Sequence, residues 1–62
     1  MHHSLYVARR ERKLLQKEVA EKIGVHPQTY HEKECGKVDF KLKEAQMLAK
    51  LFGCTLNDLF QV

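Results

Sequence analysis

Gly24 and Pro27 stand three residues apart, and together they fix where one helix ends and the next begins. Ahead of Gly24, the residues Val19, Ala20 and Ile23 share one face of a helix that starts at about Gln16. Glycine then supplies the left-handed backbone that a tight helix exit needs. Pro27 suits the first turn of a following helix, because its φ is already helical and its missing N–H would have no partner there. That helix runs to about Cys35, and Gly36 stops it. Two short helices with so little chain between them must cross closely. Small Ala20 permits the approach, and Val19, Ile23, Val25 and Tyr30 supply apolar contacts between the pair and the body behind it.

The rest of the chain reads as helix too, with no sustained two-residue alternation of the kind a half-buried strand shows. Ser4 is the expected N-cap of a first helix reaching about Leu14, with Leu5 and Ala8 inward. After the polar loop Lys37-Val38-Asp39, the residues Ala45, Leu48, Ala49 and Phe52 follow helical spacing. Gly53 ends that fourth helix. Thr55 caps a last short one with Asp58 three residues on, and Leu56 and Leu59 return to the core. The expectation is an all-α fold: one compact five-helix domain over residues 1–62.

Sixty-two residues bury only about 60% of the surface the unfolded chain exposes, which leaves no room for a substrate domain or cofactor fold and points away from an enzyme. Eleven Lys and Arg against eight Asp and Glu give a net charge of +3, a balance that favours a polyanionic partner. No apolar run is long enough for a membrane span. With no signal peptide ahead of them, Cys35 and Cys54 read as reduced thiols of a cytoplasmic protein. The opening Met1-His2-His3-Ser4 is given no functional weight. His31 and Cys35 lie four apart beside Glu34, but no Cys-x-x-Cys or His-x-x-x-His completes a zinc set, so neither metal nor cofactor is expected.

The run Gln16-Lys17-Glu18-Val19-Ala20-Glu21-Lys22-Ile23-Gly24-Val25, then Gln28-Thr29-Tyr30 and Glu34-Cys35-Gly36-Lys37, resembles the lambda-repressor-like family of phage repressors, Cro proteins and their bacterial relatives. The stretch from Leu48 to Leu59 looks like that family's closing segment, so the resemblance spans about Leu5 to Phe60. It implies a helix-turn-helix at about 16–35 and a recognition helix at about 27–35 that enters the major groove of a double-stranded DNA operator. Three positions depart from the family. Leu15 stands where a capping Ser or Thr is usual, a loss of about 1 kcal/mol. Lys33 occupies an apolar position, its stem expected to lie over the core with the ammonium in water. Phe40 replaces a common proline.

The resemblance also implies roles for single residues. Gln28 offers a donor and an acceptor together, which suits adenine N6 and N7. His26, Thr29, His31 and Glu32 are further base-contact candidates, Glu32 as an acceptor for cytosine N4. Gln16 and Lys17, at a helix start where free N–H groups favour an anion, are expected at phosphates, with Lys37, Lys41 and Lys43 flanking the groove. Arg9 and Glu34 resemble the family's structural ion pair. A selective site needs two recognition helices about 34 Å apart, so a homodimer on a palindromic operator is expected. Met47, Leu51, Phe60 and Val62 are offered as its apolar surface. The function that follows is transcription regulation, in the manner of a Cro-type repressor. The competing reading is an antitoxin-like or other protein-interaction module on the same fold.

Overall fold

Helix α2 (Gln16–Ile23) gives way to α3 (Pro27–Cys35) through Gly24, whose φ of 75° and ψ of 31° lie in the left-handed region. Gly24 N–H donates to Glu21 O and Val25 N–H to Ala20 O, which satisfies two carbonyls that the helix end would leave open. The same pair of bonds closes α3, with Gly36 to Lys33 and Lys37 to Glu32, and α4 (Leu42–Phe52), with Gly53 to Lys50 and Cys54 to Ala49. Local sequence therefore sets the ends of three helices. The computed structural model describes residues 2–60, in which α1 (His3–Glu11) and α5 (Leu56–Phe60) complete five helices, with no strand among the described residues.

The N-terminal ends are less uniform. Thr55 and Asp58 form a reciprocal box at α5, Thr55 Oγ1 accepting from Asp58 N–H and Asp58 Oδ2 from Thr55 N–H, each at 3.1 Å. At α2 only half of such a box exists. Leu15 has no side-chain acceptor, but Glu18 Oε1 reaches back to Leu15 N–H at 2.8 Å. At α4, Glu44 Oε1 does the same for Lys41 N–H at 3.0 Å.

Helix α1 departs from expectation at both ends. Ser4 lies within it, and His2 is the N-cap residue. The cause is tertiary: His2 N–H donates to Glu34 O at 3.1 Å, and the His2 ring packs against Phe40 and Phe60 at centroid distances of 5.4 and 5.3 Å. His2 is thus a packing element of the fold. The helix stops at Glu11, short of Leu14, because Lys13 adopts a φ of 56° that turns the chain and sends Leu14 back against the core.

Leu5, Ala8, Val19, Ala20, Ile23, Tyr30, Leu48, Ala49, Phe52 and Leu59 form the core. Ala20 is fully buried at the crossing of α2 and α3, where a larger side chain would push the helices apart. Arg12 lies over the Phe52 ring and donates to the Phe52 carbonyl, holding the end of α4 to α1.

Candidate nucleic-acid interface

Helix α3 is polar on nearly every side, so apolar packing alone cannot hold it. Its buried side consists of Tyr30, Lys33 and Glu34. Glu34 is 3% exposed and accepts four hydrogen bonds: Arg9 Nε at 2.9 Å, Arg9 Nη2 at 3.0 Å, the Tyr30 hydroxyl at 2.7 Å and Gln16 Nε2 at 3.0 Å. Arg9 also donates through Nη1 to Leu14 O at 2.7 Å. Residues from α1, α2 and α3 thereby meet on one carboxylate.

The electrostatics follow from this geometry. Burial pushes the Glu34 pKa up, but the bonds from Arg9, Tyr30 and Gln16 outweigh it and hold the carboxyl below its ordinary range. The bond to Glu34 raises the Arg9 pKa against the opposing effect of burial. Burial first, and then the neighbouring carboxylate, push the Tyr30 phenol up, so its hydroxyl stays a donor.

Lys33 corrects a second expectation. Its ammonium does not reach water: the residue is 4% exposed, and Nζ donates to Glu44 Oε1 at 2.6 Å and to Asp39 O at 3.3 Å. The nitrogen sits 5.8 Å from the centre of the Phe40 ring, a favourable contact for a cation. Burial raises the Glu44 pKa, yet the bonds from Lys33 and Lys41 N–H bring it below the ordinary value. Glu44 therefore both caps α4 and ties α3 to it.

With successive helical residues about 100° apart, the side opposite Tyr30, Lys33 and Glu34 holds Gln28, Glu32 and Cys35, with His31 at its edge, about 60° round the helix from Glu34. Gln28, His31 and Cys35 are exposed, and Glu32 is half-buried. His26 is the exposed N-cap of α3, and its Nδ1 accepts Gln28 N–H at 3.1 Å. Thr29 lies half-buried on the flank. Lys17, Lys37, Lys41 and Lys43 are all exposed. Gln16 is half-buried, and both ends of its amide are engaged: Nε2 with Glu34, and Oε1 with His31 Nδ1 at 3.1 Å. The sequence reading missed this bridging role, which no spacing signals. The sequence raised Cys35 only as a reduced thiol and a metal-ligand candidate, although it lies seven residues beyond Gln28, on the same helical stripe.

The apolar surface expected of Met47, Leu51 and Phe60 is divided. Met47 and Leu51, 37% and 36% exposed, flank a shallow hollow with Lys22, Ile23 and Lys50. Phe60 instead packs on its own core and lines a separate hollow with His2, Phe40, Leu42, Ala45 and Leu56. Its ring is drawn there by Phe40 at 5.5 Å and by His2. Val62 lies outside the described residues. Among the described residues, no group of three or more His, Cys, Asp or Glu is gathered as for a metal ion, and no helix is long and apolar enough to cross a membrane.

Residues 5–59 match the family model described as Helix-turn-helix. Over 47 residues the chain is 45% identical to an uncharacterized HTH-type transcriptional regulator of Methanocaldococcus jannaschii, a stretch covering 76% of this chain and 71% of that one. No solved structure matches the chain.

Proposed function

The chain belongs to the helix-turn-helix family, and from that premise we propose that it is a sequence-specific double-stranded DNA-binding regulator of transcription that lays α3 in the major groove. The observation that carries this reading is the division of α3 into two sides. One is fastened to α1 and α4 by ion pairs, Arg9 with Glu34 and Lys33 with Glu44, and to α2 by the hydrogen bond from the Gln16 amide to Glu34. The other, Gln28, His31, Glu32 and Cys35, is polar and unspent on the core. A helix that reads bases needs both a fixed angle and a free polar face.

Gln28 is the principal base-reading residue, with His26, Thr29, His31 and Glu32 beside it. Lys17, Lys37, Lys41, Lys43 and the start of α2 at Gln16 meet phosphates. One α3 reads too few base pairs for a selective site, so two copies act together as a homodimer on a palindromic operator, and occupancy represses in the manner of Cro. Met47 and Leu51 are the parts of the dimer surface that α4 leaves open.

Selection from random duplexes tests the reading. The expected result is enrichment of a twofold-symmetric sequence, bound with a salt dependence that Lys37→Ala flattens by about one unit of slope in log K against log salt. Recovery of no sequence, or a salt slope near zero, would overturn it.

A further inference from the structure

Two histidines belong to the exposed part of α3, and each has one ring nitrogen committed within the protein. At His26, Nδ1 faces Gln28 N–H at 3.1 Å. A backbone N–H can only donate, so Nδ1 carries the lone pair and the proton of the neutral ring sits on Nε2.

At His31 the assignment runs the other way, and it is settled three links deeper. The Arg9 fork and the Tyr30 hydroxyl hold Glu34 as an ionised carboxylate, which can only accept. Gln16 must therefore turn its Nε2 toward Glu34, at 3.0 Å, since the flipped amide would set oxygen against oxygen. That leaves Gln16 Oε1 facing His31 Nδ1 at 3.1 Å. A carbonyl oxygen can only accept, so Nδ1 carries the hydrogen, and the neutral ring keeps its lone pair on Nε2. The Cys35 sulfur lies 3.6 Å from Nε2 and 3.9 Å from Nδ1. Such near-equal distances put it beside the ring and off the Nε2 lone-pair axis, on a residue that is itself exposed.

We propose that Gln16 is a positioning residue that locks His31 in the Nδ1–H tautomer, so that α3 carries two histidines of opposite polarity toward DNA: His26 presents a donor, and His31 an acceptor. A donor at the helix start suits a phosphate oxygen. An acceptor in the outward stripe suits the exocyclic amino group of adenine or cytosine and opposes a phosphate. His31 thereby becomes a specificity-determining residue. The DNA half of this statement rests on the proposed function; the tautomer half does not.

Nitrogen-resolved NMR of the imidazole rings in the DNA-free protein, at about pH 8.5 where imidazole is ordinarily neutral, tests the lock by itself. His31 is expected as Nδ1–H and His26 as Nε2–H. In Gln16→Leu, which leaves Glu34 its Arg9 and Tyr30 partners, His31 shifts toward Nε2–H, while an unchanged His26 signal reports that α3 is intact. His31 found as Nε2–H in the wild type, or unaltered in a folded Gln16→Leu protein, overturns the lock. Duplex selection then compares wild type with His31→Ala. The expected result is a roughly fivefold loss of preference for an amino-bearing base at one position, the worth of a single hydrogen bond. Identical preferences overturn the specificity role, whereas a wild type with the predicted tautomers that selects no sequence overturns the DNA-binding reading and leaves the lock standing.

Discussion

Helices α3 and α4 are both held against the same core, by opposite means. α4 buries Ala45, Leu48, Ala49 and Phe52, a face that fills volume and gains about 1.5–3 kcal/mol for each large side chain. α3 buries Tyr30, Lys33 and Glu34: the tyrosine ring is its one apolar anchor in the core, and the two charged side chains gain nothing from transfer out of water. Apolar contact tolerates small slides and rotations. The fork of Arg9 on Glu34 and the contact of Lys33 with Glu44 have fixed directions. The difference teaches that the helix which must present a face at a set angle is fastened by bonds that specify angle, while the helix behind it supplies the bulk. Desolvation makes the charged solution costly, and it holds only while every partner is present.

Removing one partner should therefore hurt more at α3 than trimming bulk at α4. Arg9→Ala leaves Glu34 buried and short of its fork, and is expected to cost about 3–5 kcal/mol, enough to leave little of so small a domain folded. Denaturant melts would show it; a loss under about 1 kcal/mol would make the pair no better than a surface contact. Leu48→Ala, at a fully buried position, is expected to cost about 2–5 kcal/mol through lost transfer energy and a cavity. Its mark is a change in stability with the angle of α3 unaltered, so the DNA preference of the folded fraction should stay that of the wild type. A changed preference would mean that packing at α4, too, sets the angle.

Acid separates the two fastenings. The folded-state pKa values of Glu34 and Glu44 lie below their ordinary value of 4.5, so the unfolded chain takes up protons first as pH falls. Their contribution is complete above that value and is lost as pH drops through the lower folded-state pKa. Melts between neutral pH and about pH 3 should show stability falling below about pH 4.5, with the loss in hydrogen exchange centred on α3 and on the first turn of α4, which Glu44 caps. Equal loss of protection at the buried centre of α4, around Leu48 and Ala49, would erase the distinction. The smallest effect is expected at Leu15, 57% exposed at the N-cap of α2 with extended backbone. Leu15→Ser completes the half-made box with Glu18 and should stabilise by about 1 kcal/mol.

The comparison also explains what the sequence disclosed. The bounds of α2 and α3 were legible because Gly24, Pro27 and Gly36 act through their own backbones, and the inward face of α4 was legible because period alone marks it. Lys33 was not, since nothing nearby in sequence announces Glu44 or the Asp39 carbonyl as its partners. His2 was missed for the same reason: its anchors are the Glu34 carbonyl and two rings from distant segments. Phe60 read as a free apolar end because its affinity for Phe40 and His2 depends on a loop that only the fold closes. Gln28, at the surface of α3, was singled out by the family resemblance, but the bridge from Glu34 through Gln16 to His31 joins two helices and exists only once they cross.

The central claim is that one side of α3 holds the fold and the other reads DNA. It is tested most directly by titrating folded Gln28→Ala with the duplex selected by the wild-type protein and with an unrelated duplex, its unfolding measured in parallel. Gln28 is exposed and bonded to the protein through its backbone N–H, so stability should stay within about 0.5 kcal/mol of wild type. Affinity for the selected duplex should fall by about 1–3 kcal/mol while affinity for the unrelated duplex holds. Unchanged affinity for both duplexes, or a loss of binding that merely tracks a loss of folding, would contradict the account.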